Sequence, residues 1–247
     1  MNSVWRDAWW LSKFELFRIT KLLKLVALAF GSFIFFIGFF HSSDSLGSDH
    51  LVINILLDFF FISALTTWPY WLRSKEERFM RISGNFHGSS YFNFLQEQQL
   101  PETTLIKSRL FSSSIQSLIV NTILISLLLV FPSILSVALL SPEESLAFLF
   151  FWLLIGIIAS LTLAASDVGD LLSMTKIIIV NIIFYGSLLA IAGFYYFYTK
   201  RGVVEGSIFL LRNYPVVTLV SVTLLTIGSY LYCYRYAIKK MRTNDYL

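Results

Sequence analysis

Cysteine appears once in 247 residues, proline five times, and charge is scarce. A single thiol, Cys233, excludes an internal disulfide and leaves too few sulfur ligands for a structural zinc site. It reads as a small apolar residue, buried or facing lipid. Asp, Glu, Lys and Arg make up 14% of the chain, against about 25% in a soluble domain, which is too little polar surface to cover the molecule in water. The phosphate loop G-x-x-x-x-G-K-[ST] is missing, so ATP hydrolysis by that route is excluded; H-E-x-x-H, G-x-S-x-G and C-x-x-C are missing as well. The three histidines, His41, His50 and His87, all fall in loops. No cleavable signal peptide is expected, because the first apolar run ends in Phe39-Phe40-His41 rather than in small residues.

Apolar residues are abundant: 56% of the chain, with 24 Phe and a mean hydropathy of +0.71. A helix needs about 20 apolar residues to cross the hydrocarbon, and six stretches qualify. They are Leu22–Phe40, Leu51–Leu72, Ile115–Val137, Leu146–Ala165, Ile177–Tyr198 and Val216–Tyr236. With the N-terminus cytoplasmic, 16 of the 19 Lys and Arg fall on inner segments, and only Lys200, Arg201 and Arg212 fall outside. That asymmetry predicts both termini inside. The expected fold is therefore an all-α membrane protein, a single transmembrane domain over 1–247. Trp68, Tyr70 and Trp71 at one end of the second span, and Tyr195, Tyr196 and Tyr198 at the end of the fifth, read as interfacial belts.

Outside the spans, residues 1–21 read as an interfacial helix. Trp5, Ala8, Trp9, Leu16, Ile19 and Leu23 share one face, with Arg6, Lys13, Lys21 and Lys24 largely opposite, so the helix is expected to lie against anionic lipid heads. The alternative is a simple extension of the first span. The loop 41–50 holds His41, Asp44, Asp49 and His50, but at no metal-ligand spacing, so no metal is expected. The segment Ser207–Pro215 is too short to span and apolar enough to dip into the outer leaflet.

The inner loop 73–114 is the largest soluble piece. Its run Leu100-Pro101-Glu102-Thr103-Thr104 resembles a sortase sorting signal, but Leu105 stands where that signal has Gly, and four spans follow. The better reading is punctuation: a short helix Tyr91–Gln99, then Pro101 in the first turn of the next helix. Asp167 and Asp170, in the turn after the fourth span, read as caps for a helix starting near Leu171.

Inside the spans the one acidic side chain is Asp58, with Asn54 four residues before it on the same face. Two readings stand: a polar patch on a translocation pathway, or an interhelical hydrogen bond to Asn121 or Asn181. Gly156, Ser160 and Ala164, and then Gly186 and Ala190, repeat every four residues, a close-packing signal that serves a neighbouring helix or a second copy equally.

This layout resembles the permease subunits of bacterial type 2 ABC exporters. The shared features are an amphipathic N-terminal helix, six spans with both ends inside, a large loop between spans two and three, and a short apolar outer segment before span six. In the loop, "YFNFLQEQQLP" followed by "ETTLIKSRL" resembles that family's coupling helix, Leu-Pro step and basic opening of the third span. The sequence departs from the family in Gln-Glu-Gln-Gln before Leu100 and in Glu-Thr-Thr after Pro101. The resemblance implies an ATPase-coupling role for Tyr91, Phe92, Phe94, Leu95, Leu100, Pro101, Lys107 and Arg109. It implies no catalytic residue and no cofactor in this chain, with ATP and Mg held by a separate ABC ATPase subunit. The implied partners are that ATPase, a second permease subunit, identical or different, and the lipid of the bacterial cell membrane, with no nucleic acid. The implied cargo is hydrophobic or amphipathic, such as a peptide or antibiotic. The competing classes are a non-transporting accessory or immunity protein and an intramembrane enzyme.

Overall fold

The computed structural model describes residues 3–16, 51–73, 77–78, 80–83, 86–89, 94–95, 97–98, 100–130, 140–168 and 172–244. The predicted first span and the loop 41–50 lie outside them, as do Ile19, Tyr91 and Phe92. The described chain is mostly helical. In order it forms α1 (Ser3–Leu16), α2 (Leu51–Leu72), β1 (Met80–Ser83), β2 (Phe86–Gly88), α3 (Glu102–Val130), α4 (Pro142–Ser166), β3 (Leu172–Ser173), α5 (Met174–Thr199), α6 (Val203–Asn213) and α7 (Pro215–Asn244). Among the described residues, four helices are long and apolar enough to cross a membrane: α3, α4, α5 and α7. With no water to satisfy backbone groups in the hydrocarbon, helices of this length are one of the few solutions open to the chain.

Local sequence sets the helix limits. Ser141 caps α4: its Oγ accepts from the Glu144 N–H at 3.2 Å, and the Glu144 carboxylate accepts from the Ser141 N–H at 2.9 Å. Pro142 occupies the first turn, where its missing N–H costs nothing. Ser173 caps α5 by accepting from the Lys176 N–H at 3.4 Å. At the other end Lys200 takes a left-handed conformation, φ 57°, and closes the helix by donating to the Tyr196 carbonyl. Pro101 precedes α3, and its carbonyl accepts from Thr104 and Leu105.

α3 begins at Glu102, upstream of the predicted third span, so the last part of the predicted inner loop is the first turns of this helix. Those turns are polar because protein covers them. α1 lies along them through Ala8, Leu11, Ser12 and Glu15, a buried stripe at helical spacing. Ser12 Oγ reaches the Ser108 carbonyl at 3.0 Å, and the Trp9 ring packs edge-on to Phe111 at 5.3 Å. The face of α1 that docks is thus its small and polar one. Trp5, Trp9 and Trp10 stay exposed.

The loop also holds a small antiparallel sheet, a hairpin of β1 and β2 joined by β3 in the order β1-β2-β3. Phe86 pairs with Ser173 and His87 with Leu172, so the turn after α4 is tied to the loop after α2. Two apolar clusters fill the bundle. One gathers Leu11, Leu95, Leu105, Leu110, Leu161, Cys233 and Met241 from α1, the loop, α3, α4 and α7. The other gathers Phe61, Leu65, Ile125, Phe148, Trp152, Val204 and Leu211 from α2, α3, α4 and α6. α5 lies at the edge of the bundle, against α2 and α6, with Ala192 its one buried residue.

Candidate functional site

Where the loop meets the bundle, five charged side chains are buried together. Arg73 follows the last turn of α2 and donates to Asp167 Oδ2, at the end of α4, and to Ser113 Oγ of α3 at 2.9 Å. Ser113 Oγ in turn donates to the Ser160 carbonyl at 3.1 Å. Arg109 of α3 lies 3.4 Å from the same Asp167 oxygen and donates to the Glu77 carbonyl at 2.6 Å. The carboxylates of Glu15, on α1, and Glu77 add to the negative field at Arg109. All five side chains are nearly inaccessible to solvent. Around Arg73 the loop is held further: Arg78 Nε donates to its carbonyl at 2.9 Å, and the Tyr70 ring lies 5.1 Å from its guanidinium. Burial pulls the Arg73 guanidinium below the usual arginine value; the neighbouring Arg109 adds to this, and Asp167 opposes it.

Asp167 therefore does not cap a helix at Leu171. α5 starts at Met174 on its own Ser173 cap, and Asp167 joins two arginines from other segments. Asp170 lies outside the described residues.

The residues assigned to coupling divide by environment. Leu95 is buried in the loop-end apolar cluster, while its neighbour Phe94 is 53% exposed. Leu100 and Pro101 are exposed at the joint into α3. Lys107 sits 4.4 Å over the Trp5 ring and 5.8 Å from that of Tyr234, linking α1, α3 and α7. Arg109, two residues on, is held in the charge cluster instead. In α1, Trp5 and Trp9 are exposed and Leu16 is half-buried.

The opposite end of the bundle is built around α6. Gly202 at its N-cap has no side chain to offer the helix. Asp58 of α2 supplies the cap: Oδ2 accepts from the Val203 N–H, and Oδ1 accepts from the Val204 N–H at 3.2 Å. A carboxylate at the positive end of a helix is favourable. A Cβ at Gly202 would come 2.7 Å from Asp58 Oδ2, so any other residue there would have to displace the capping carboxylate. Trp152 Nε1 donates to Ser207 Oγ at 3.1 Å, and Arg212 binds both Glu144 oxygens at 2.8 and 3.2 Å. The carboxylate holds the Arg212 guanidinium above its ordinary value.

Asp58 thus bonds neither Asn121 nor Asn181. Asn121 donates to Ser117 Oγ at 3.0 Å and lies so close to Gly156 that any Cβ there would overlap it. Gly156, Ser160 and Ala164 are all buried where α4 meets α3, so that stripe packs within the chain. Gly186 on α5 has nothing within 4 Å of an added Cβ. Asn181 is exposed and lines a groove of about 510 Å³ between α2, α4 and α5, with Tyr70, Trp71, Asp167, Phe184 and Tyr185. Asn54 lies one turn before Asp58 on α2.

The chain matches no family model, no curated protein and no solved structure.

Chemically the cluster is a tie. Among the described residues, no group of three or more His, Cys, Asp or Glu is arranged to hold a metal ion. Its two guanidiniums share the Asp167 carboxylate, with Glu15 and Glu77 in the same field, and buried charges persist only when paired in this way. The arrangement joins α1, the loop, α2, α3 and α4 at one point. Sequence reasoning missed it because the partners of Asp167 stand 94 and 58 residues away. The available signal was the pairing of Arg73, just past a span, with an acidic residue just past another on the same side.

Proposed function

We propose that this chain is the membrane-spanning permease subunit of an ATP-driven exporter of the type 2 ABC kind. In this reading six helices span a bacterial cell membrane with both termini cytoplasmic. Two such subunits line the pathway, and separate ATPase subunits supply the energy. The observation that carries the proposal is the tie itself. A soluble motor pressing on Phe94 would push, through Leu95, on an apolar cluster shared by α1, α3, α4 and α7. The loop on either side is fastened to α2, α3 and α4 by Arg73, Arg109 and Asp167. A force applied at the loop would therefore reach five helices. The groove between α2, α4 and α5 suits a hydrophobic or amphipathic cargo, since its wall is largely apolar and aromatic, with Asn181 and Ser166 as exposed polar contacts.

The test is purification of the intact chain in mild detergent and identification of bound subunits, followed by transport and ATPase assays on a Phe94→Ala variant. The expected result is a co-purifying ATPase whose hydrolysis continues in the variant while transport falls. A chain that brings down no ATPase, or a variant with normal coupling, overturns the reading.

A further inference from the structure

α7 continues well past the end of its apolar span, and the extension has a chemistry of its own. Leu224, Gly228, Leu231, Arg235, Lys239 and Arg242 recur every three or four residues, so they form one stripe along the helix. All six are exposed. The first three are apolar or small, and an added Cβ at Gly228 meets nothing within 4 Å. The last three are basic and, with Ile238 and Thr243, line an open groove of about 480 Å³. Among the described residues neither Arg235 nor Lys239 forms an ion pair, while Arg242 lies 3.6 Å from Glu102. Tyr232 and Tyr236, stacked at 6.3 Å, sit beside the point where the stripe turns from apolar to charged, the depth that amphipathic rings favour in a membrane.

We propose that this stripe binds an anionic phospholipid, its phosphate between Arg235 and Lys239 and an acyl chain along Leu231, Gly228 and Leu224. The lengths agree. From Leu224 to Arg235 the helix rises about 16 Å, which is half of a hydrocarbon core of about 30 Å, the reach of one leaflet's chains. The charge agrees as well: among the described residues Arg235 and Lys239 are exposed and form no ion pair, and Glu102 is engaged by Arg242. A soluble phosphate compound would use the basic end and leave the apolar half of the stripe without a role. This site is separate from the tryptophans of α1 and holds whether or not the chain serves an exporter.

The experiment uses the full chain in mild detergent, with lipid retention read by native mass spectrometry. Phosphatidylglycerol and phosphatidylcholine of identical chains are the probes, and glycerol 1-phosphate is the soluble competitor. Retention of phosphatidylglycerol is expected to exceed that of phosphatidylcholine, and to fall about fivefold for each basic residue removed in Arg235→Gln and Lys239→Gln. Both side chains are exposed, and circular dichroism checks that the variants keep their helix content. Lys200→Gln, at the far end of α5, is the charge control and is expected to change nothing. Equal retention of the two lipids overturns the proposal. So does an undiminished preference in the double variant, an equal loss in Lys200→Gln, or displacement of the lipid by glycerol 1-phosphate at matching concentration.

Discussion

Asp167 and Asp58 are both buried acids, and they serve opposite ends of the bundle by different means. Asp167 neutralises two guanidiniums, so Asp167→Ala leaves two buried cations without their shared partner. The expected loss is about 3–5 kcal/mol, read from the unfolding midpoint of the purified chain in SDS. Asp58 receives two backbone N–H groups. Asp58→Asn keeps the size, removes the charge and offers one acceptor oxygen in place of two. It is expected to cost about 1–2 kcal/mol and to speed hydrogen exchange at the Val203 and Val204 amides while exchange at Leu124 and Ile125 stays unchanged. The sequence marked Asp58 as the one acid within a span and left two readings, a patch on a pathway or a hydrogen bond to Asn121 or Asn181. The true partners were invisible because they are backbone groups, and every residue carries those. Asp167 was misread for a related reason: a nearby helix start looked like the natural use for an acid, and distant arginines leave no local trace.

Helices were more legible than their surroundings. α2 runs over the predicted second span, and α4 and α5 extend the fourth and fifth by a few residues at the N-terminal end and by one at the other. Their apolar runs are long, and their ends carry capping serines. The helix start at Pro101 was legible from its punctuation, but not that this helix runs unbroken into the third span, because its polar first turns are covered by α1 rather than lipid and hydropathy reads them as loop. The sheet was missed because strands of four, three and two residues are too short to show alternation. Packing of small residues was legible as a pattern but not as an address. Gly156→Leu drives a side chain into Asn121 and is expected to cost about 1–3 kcal/mol, seen as a lower melting temperature in detergent. Among the described residues an added Cβ at Gly186 meets nothing within 4 Å, so Gly186→Leu is expected not to lower the melting temperature of the monomer.

Across the whole molecule, composition alone placed the chain in a membrane, but it did not say which helix neighbours which. α4 and α5 are apolar on every side, so no face announces a partner. What distinguishes them is the ends, where short polar contacts fix the arrangement. Cys233 gives a way to follow that arrangement as a unit. It is 2% exposed, in the apolar cluster shared by α1, α3, α4 and α7. A water-soluble maleimide is expected to label it slowly in the folded chain and rapidly once SDS has opened the bundle, with Asp167→Ala shifting that onset to lower SDS. The buried tie has a mechanical side too. One carboxylate oxygen receives both guanidiniums, so Arg73 and Arg109 do not hold the loop as two independent straps. Small tugs on the loop are transmitted stiffly; beyond a threshold, loosening one arginine frees the oxygen to follow the other and the grip is redistributed at once. Such a joint behaves as a detent rather than a spring, and energetic coupling between Arg73→Ala and Arg109→Ala in a double-mutant cycle is its signature.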